Sequence, residues 1–185
     1  MLWSKVPRPT YRAVWVFAYG SLIFRPGFDF LRQVPASVTG YARRFWQGSP
    51  DHRGTPENPG RVVTLVAGQA LRCQGVAFLV DDACISDVLA YLDERESGGY
   101  ERLKLQPVLD TGEVVEAWTW IAPKSNSNFL GDALREEMVQ QILGARGQSG
   151  ANRDYVLSLA RELAGLGIDD EHVQNLARWI READT

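Results

Sequence analysis

The 185-residue chain is poor in the residues that build disulfide frameworks and metal sites. Cys73 and Cys84 are its only cysteines, and they are not spaced as a C-x-x-C pair. We therefore expect two reduced thiols in or near the core. His52 and His172 are its only histidines, and no ligand-spaced cluster surrounds either of them. We predict no metal site.

Long hydrophobic runs and an excess of positive charge are also absent. No apolar stretch approaches the roughly 20 residues that a membrane-spanning helix needs. The formal net charge of -3 argues against general binding to nucleic acids or acidic membranes. Residues 1–10 contain Lys5, Arg8 and two prolines but no apolar segment, so we expect no signal peptide and a cytoplasmic location.

The chain also lacks a G-x-S-x-G elbow, a P-loop, a dinucleotide fingerprint and any internal repeat. Its hydrophobic content of 45% suits one domain with a sizeable core.

Apolar, β-prone runs predict strands in the first two thirds of the chain. They lie at residues 14–19, 61–66, 75–80, 103–109 and 114–121. The last two runs flank a turn and predict a hairpin, in which Pro107 favours an edge strand or a bulge.

One helix interrupts these strands. It begins near Asp81 or Asp82, either of which can cap it, and Gly98 and Gly99 end it as an αL cap. Its one-sided apolar stripe consists of Ile85, Val88, Leu89 and Leu92. Glu96 therefore falls in or just after the last helical turn.

After Pro123 the apolar spacing becomes helical. Asn152 is a predicted cap for the second of three helices, and Asp169 or Asp170 for the third. The apolar stripes are Leu134, Met138 and Ile142, then Tyr155, Val156, Leu159 and Leu163, then Val173, Leu176, Ala177 and Ile180. We predict an α+β fold whose mostly antiparallel sheet closes into a small barrel, with an inserted helix and C-terminal helices.

Two local features suggest chemistry. The dipole at the C-terminal end of a helix favours the protonated form of Glu96, which suits a general base with a raised pKa, although a solvent-exposed charge is the commoner fate of glutamate. In residues 19–22 (YGSL), glycine permits a sharp turn whose N–H groups can bind a carboxylate or an oxyanion. The alternative is an ordinary turn after a strand.

The polar loop at residues 47–56 is a third candidate, because long loops in compact domains are often functional. Arg53 or Arg44 can hold a substrate carboxylate bidentately. The alternative is a solvated loop in which Asp51 pairs with Arg53. Tyr100 and Tyr155 can donate hydrogen bonds to a substrate or act as half-buried packing residues.

Five motifs, in order, resemble those of the ChaC-like γ-glutamylcyclotransferases. They are residues 16–30 (VFAYGSLIFRPGFDF), 43–56 (RRFWQGSPDHRGTP), 92–100 (LDERESGGY), 128–131 (NFLG) and 149–155 (SGANRDY). The resemblance extends from about residue 14 to residue 180, within a single cyclotransferase domain that we assign to residues 1–185. Phe24 stands where the family commonly has tryptophan, and Ser97 where it commonly has lysine.

The resemblance implies the small-barrel cyclotransferase fold and a glutathione-specific lyase that releases 5-oxoproline and cysteinylglycine without a cofactor. It implies Glu96 as the catalytic acid and base. It also implies that the γ-glutamyl group contacts Tyr19, Gly20, Ser21, Leu22, Ile23 and Phe24, and that Tyr155 contacts the substrate.

Two alternatives stay open. The substrate can be another γ-glutamyl peptide or a γ-glutamylamine, or the protein can bind a γ-glutamyl group without catalysis. An intact Glu96 argues against the second, because a binding protein needs no base. No obligate protein partner is predicted.

Overall fold

The computed structural model describes residues 13–183, so the prediction made for residues 1–10 lies outside it. Over the described residues the chain forms strands, four α-helices and one 3₁₀ turn at Ser21–Ile23. The strands are β1 (Ala13–Ala18), β2 (Arg32–Ser49), β3 (Gly60–Asp81), β4 (Glu101–Leu105), β5 (Val108–Leu109), β6 (Ala117–Ile121), β7 (Arg146–Gly147) and β8 (Gly150–Ala151). The helices are α1 (Ile85–Arg95), α2 (Arg135–Gly144), α3 (Asn152–Gly165) and α4 (Glu171–Ala183).

Six strands form one mixed sheet in the order β4-β6-β1-β3-β2-β5, and β7 pairs with β8 separately. Neighbouring strands are antiparallel, except that β1 and β6 are parallel. The predicted α+β class is therefore confirmed.

The sheet does not close into the predicted barrel. Its edge strands, β4 and β5, are consecutive in sequence and are separated only by Gln106 and Pro107. Their ends thus lie no more than about 11 Å apart, so the sheet must curl strongly. Proline has no N–H to donate to a ladder, and β5 is only two residues long, which leaves the sheet open between its two edges.

The long β2–β3 hairpin differs most from the expected strands. No strand was predicted at β2, and β3 was predicted as two separate strands. Between the pairs Thr39↔Arg72 and Tyr41↔Ala67 the register shifts, so residues 68–71 bulge out of β3 opposite Gly40. The two predicted strands are the two halves of β3 on either side of this bulge.

Helix α1 agrees with its prediction except at its start, because it begins at Ile85 after Cys84 and neither Asp81 nor Asp82 is its cap. Val88 and Leu92 are buried, and Glu96 is the residue that follows the last turn. Asp81 accepts a hydrogen bond from the backbone N of Ala83 just before the helix. Gly99, rather than Gly98, has the positive φ of 95° that completes the turn.

The C-terminal helices are confirmed with corrections at their ends. Asp170 caps α4, since its Oδ1 accepts from the backbone N of Val173 at 3.1 Å. Asn152 does not cap α3. Its buried side chain instead accepts from the N of Arg61 and donates to the O of Arg61, at 2.7 and 2.8 Å. Leu134 precedes α2 and is exposed.

One hydrophobic cluster joins the sheet to α1 and to the C-terminal helices. Both cysteines are free, but only Cys73 is buried; Cys84 is exposed beside the start of α1. Within residues 13–183, no helix has the length and hydropathy required to cross a bilayer.

Candidate active site

A cavity of about 470 Å³ opens beside the end of β1. Its walls come from the turn after β1, the loop between β2 and β3, the end of α1 and the first turn of α3. Ligand sites for small molecules commonly have this size. Of the predicted site residues, those that line it are Tyr19, Gly20, Ser21, Leu22, Arg53, Glu96, Tyr100 and Tyr155.

Ile23 and Phe24 do not line the cavity, although the resemblance implied substrate contact for both. The side chain of Ile23 is buried in the core, and the ring of Phe24 lies beside that of Tyr155, with centroids 6.3 Å apart. The 3₁₀ turn explains this arrangement, because only its first residues face the opening.

Gly20 makes the sharp turn possible. A Cβ at this position would lie 2.8 Å from Cγ2 of Val63 and 3.4 Å from the hydroxyl of Tyr155. The first hydrogen bond within the turn runs from the N of Ile23 to the O of Gly20, at 3.0 Å. Ser21 and Leu22 come before Ile23 in this turn, and the first N–H groups of a helical turn have no acceptor within the turn itself.

Arg43 holds this turn in place from within the protein core, and no role was predicted for it from the sequence. Its side chain is fully buried, and its Nε donates to the O of Tyr19. Its other two nitrogens donate to the O of Gln74 and to the carboxylate of Asp170. This buried cation thus links the turn after β1 to β3 and to the cap of α4.

Glu96 faces the cavity with a side chain that is 18% exposed. Burial raises the pKa of Glu96, and the nearby positive charge of Arg95 opposes that rise. Nε of Arg95 lies 3.8 Å from Oε1 of Glu96. The direction expected from the sequence is the same, but the main cause is burial rather than the helix dipole.

Three tyrosines surround the carboxylate. Burial raises the pKa of Tyr19, Tyr100 and Tyr155, and the charge of Glu96 raises each of them further. The hydroxyl of Tyr19 donates to the O of Trp120 at 2.6 Å, and that of Tyr100 donates to the O of Val63 at 2.7 Å. All three are therefore neutral phenols at physiological pH.

The segment after Glu96 is held by side-chain amides that sequence reasoning missed. Nε2 of Gln47 donates to the O of Gly98 at 3.1 Å, and Nδ2 of Asn126 donates to the O of Gly99 at 2.9 Å. The two amides also bond to each other, and Nδ2 of Asn128 donates to the O of Gly98 at 3.3 Å. This network fixes the turn that carries Glu96 into the cavity.

The two arginines that were candidates for binding a substrate carboxylate lie at different cavities. Arg53 lines the cavity, where Nη1 donates to the O of Ser149 at 2.7 Å and the guanidinium lies over the ring of Tyr155 at 5.4 Å. Arg44 lines a second cavity beside α4 and so lies away from the first. Asp51 does not pair with Arg53 among the described contacts; it accepts from Ser49 and from the backbone N of His52.

Arg95 and Arg25 complete the cavity and were likewise missed. Nη2 of Arg95 donates to Oγ of Ser21 at 3.1 Å, so the end of α1 is fastened to the turn after β1. Among residues 13–183, no group of three or more His, Cys, Asp or Glu side chains is arranged to hold a metal ion.

A curled mixed sheet packed against helices defines the class of this fold, which is that of the γ-glutamylcyclotransferases. The crystal structure of the yeast γ-glutamylcyclotransferase specific to glutathione matches it with a TM-score of 0.86 at 28% identity, covering 92% of this chain and 96% of that one. The family model described as ChaC-like protein matches residues 14–183. The chain belongs to the ChaC-like family, as its motifs predicted.

Two relatives are similar over most of their length. The chain is 43% identical to γ-glutamylcyclotransferase 2-3 of Arabidopsis thaliana over 177 residues, which is 91% of this chain and 89% of the relative. It is 40% identical to glutathione-specific γ-glutamylcyclotransferase 1 of Homo sapiens over 168 residues, which is 88% of this chain and 76% of the relative.

Proposed function

We propose that this protein cleaves glutathione by cyclising its γ-glutamyl group, releasing 5-oxoproline and cysteinylglycine. The observation that carries the proposal is the position of Glu96, a mostly buried carboxylate in a cavity that the Gly20 turn also lines. The names of the relatives from Arabidopsis thaliana, Homo sapiens and yeast support this chemistry. We place the activity in the cytoplasm and in one domain with its core at residues 14–180.

The reaction needs little more than positioning and proton transfer. The α-amino nitrogen of a γ-glutamyl group can reach its own γ-carbonyl carbon and form a five-membered ring. Well-oriented intramolecular reactions have effective molarities of about 10⁵–10⁸ M. A cavity that holds the curled conformer therefore supplies much of the rate enhancement, and no nucleophilic side chain is required.

Glu96 moves one proton in this scheme. The ammonium group, with a pKa of about 8, first loses a proton to solvent. The amine then attacks the γ-carbonyl carbon, and Glu96 accepts a second proton from the attacking nitrogen. As the bond to the cysteinyl nitrogen breaks, Glu96 returns that proton to the leaving nitrogen. A raised pKa suits both steps, because the same group must accept and donate near neutral pH.

The other lining residues bind the substrate in this proposal. The N–H groups at the Gly20 turn receive the oxygen that becomes an oxyanion, as preorganised donors do in acyl transfer. Ser21 and Leu22 contact the γ-glutamyl chain. Arg53 binds a carboxylate of the substrate. Tyr100 and Tyr155 donate hydrogen bonds to the bound peptide or pack against it.

The direct test is incubation with glutathione, followed by quantification of 5-oxoproline and cysteinylglycine. We expect both products in equal amounts, and faster turnover of glutathione than of γ-glutamyl-alanine. A preference for γ-glutamyl-alanine would instead identify a cyclotransferase for other γ-glutamyl peptides. Binding of glutathione without any product would support a non-catalytic γ-glutamyl-binding protein.

The pH dependence of kcat/KM tests the environment of Glu96. A base must be ionised, so activity should fall as the pH drops through its raised pKa, above the value of about 4.3 for an ordinary glutamate. Arg95 lowers that pKa, so Arg95→Gln should move the acidic limb to higher pH. Arg95→Lys keeps the charge and should leave the limb near its original position. An acidic limb that is unmoved or moved to lower pH in Arg95→Gln would contradict this assignment.

A further inference from the structure

Arg25 is a cavity-lining cation whose charged group is unused by the fold. Its backbone is held at both ends, because its N donates to the O of Ser21 at 2.8 Å and its O accepts from Nη1 of Arg95 at 2.7 Å. Its side chain is exposed and makes no hydrogen bond or ion pair with any residue among 13–183. The fold thus fixes where the side chain begins and leaves the guanidinium available.

Arg25 and Arg53 line the same cavity. Burial is the main cause that lowers the pKa of Arg53, and the positive charge of Arg25 adds to it. The cavity thus carries a second positive charge near Arg53.

No carboxylate among residues 13–183 pairs with Arg25. Asp51 also lines the cavity, but its carboxylate has other partners. Its Oδ1 accepts from Oγ of Ser49 at 3.1 Å and from the N of His52, and its Oδ2 lies 3.8 Å from Nε2 of His52. The positive charges of Arg25 and Arg53 in one cavity favour the binding of an anion near them.

The substrate of the proposed reaction carries such an anion. Beyond the γ-glutamyl bond, glutathione continues through cysteine and glycine and ends in a carboxylate. In extended form these two residues span about 7 Å, which separates the terminal carboxylate from the γ-glutamyl bond. We infer that Arg25 binds this C-terminal carboxylate and thereby selects γ-glutamyl dipeptides with a free carboxyl end over γ-glutamylamines. The inference rests on the proposed function.

Two substrates of equal size isolate this interaction: glutathione, and glutathione whose glycine ends in an amide. For the unmodified protein, we expect KM for the amide to be about tenfold higher, with kcat unchanged, because a charge-assisted hydrogen bond is lost at a partly exposed site. Arg25→Gln should raise KM for glutathione by the same factor and leave KM for the amide unaltered. Arg25→Lys should recover part of the preference.

Arg72→Gln is the matched control, since Arg72 is an exposed arginine that lines the second cavity. It should change neither KM value. Equal losses on both substrates in Arg25→Gln, or no loss on glutathione, would overturn the role of Arg25 while leaving the proposed function standing. If the unmodified protein releases no 5-oxoproline from either substrate, the proposed function fails and this inference fails with it.

Discussion

Glu96→Gln is expected to lower the rate of 5-oxoproline release by at least about 10²–10⁴-fold, the usual contribution of a general acid–base group. Glutamine has the shape of glutamate but cannot accept the proton of the attacking amine. Burial already disfavours the charged form of Glu96, so a neutral amide costs no additional desolvation. We therefore expect the free energy of unfolding to be unchanged or slightly higher.

Glu94→Gln is the control, because Glu94 lies on the same helix with an exposed side chain. It should retain full activity. Product release should be followed by mass spectrometry, and glutathione binding and thermal unfolding should be measured in parallel. A Glu96→Gln protein that is folded and fully active would exclude the proposed role of Glu96. Loss of product with glutathione binding retained would support it.

Arg43→Met is expected to cost about 3–5 kcal/mol of stability, because removing one partner of a buried ion pair leaves the other uncompensated. The side chain of Arg43 is 0% exposed and that of Asp170 is 15% exposed, and their closest atoms are 2.5 Å apart. Methionine fills similar space but leaves the carbonyls of Tyr19 and Gln74 without their donor. Because Tyr19 precedes the Gly20 turn, we also expect kcat/KM to fall.

Urea unfolding of Arg43→Met and of Arg44→Met measures this effect. Arg44 is the adjacent residue, is only partly buried, and donates to the O of Arg43. Its replacement should cost less than about 1 kcal/mol, as is usual near the surface. Similar unfolding free energies for the two variants would refute the supporting role assigned to Arg43.

The elements that were predicted well are those whose evidence is local. In α1, the apolar stripe and the closing glycines lie within about fifteen residues, and they place Glu96 correctly after the last turn. The same holds for α4, where Asp170 and an apolar stripe are separated by only a few residues. Short-range periodicity and capping depend on neighbouring residues alone.

β2 shows why other elements could not be predicted. In its second half the alternating buried residues are Arg43, Phe45, Gln47 and Ser49, of which only Phe45 is apolar. Alternation of apolar residues therefore indicates no buried strand there, whereas Val34, Ala36 and Val38 in the first half do alternate and were overlooked. The polar members are buried because they bond to groups far away in sequence, such as Gly98 for Gln47 and Asp170 for Arg43.

The order of motifs along the chain determined the family and the identity of the proposed base, and the spacing of apolar residues determined the α+β class. Only the tertiary structure decided that the sheet stays open at Pro107, that Ile23 and Phe24 are not among the residues that line the cavity, and that burial raises the pKa of Glu96. It also placed Arg25 and Arg53, which are 28 positions apart in the chain, in the wall of one cavity. The physical reason is that burial and charge proximity are properties of long-range contacts, which a local pattern of residues does not encode.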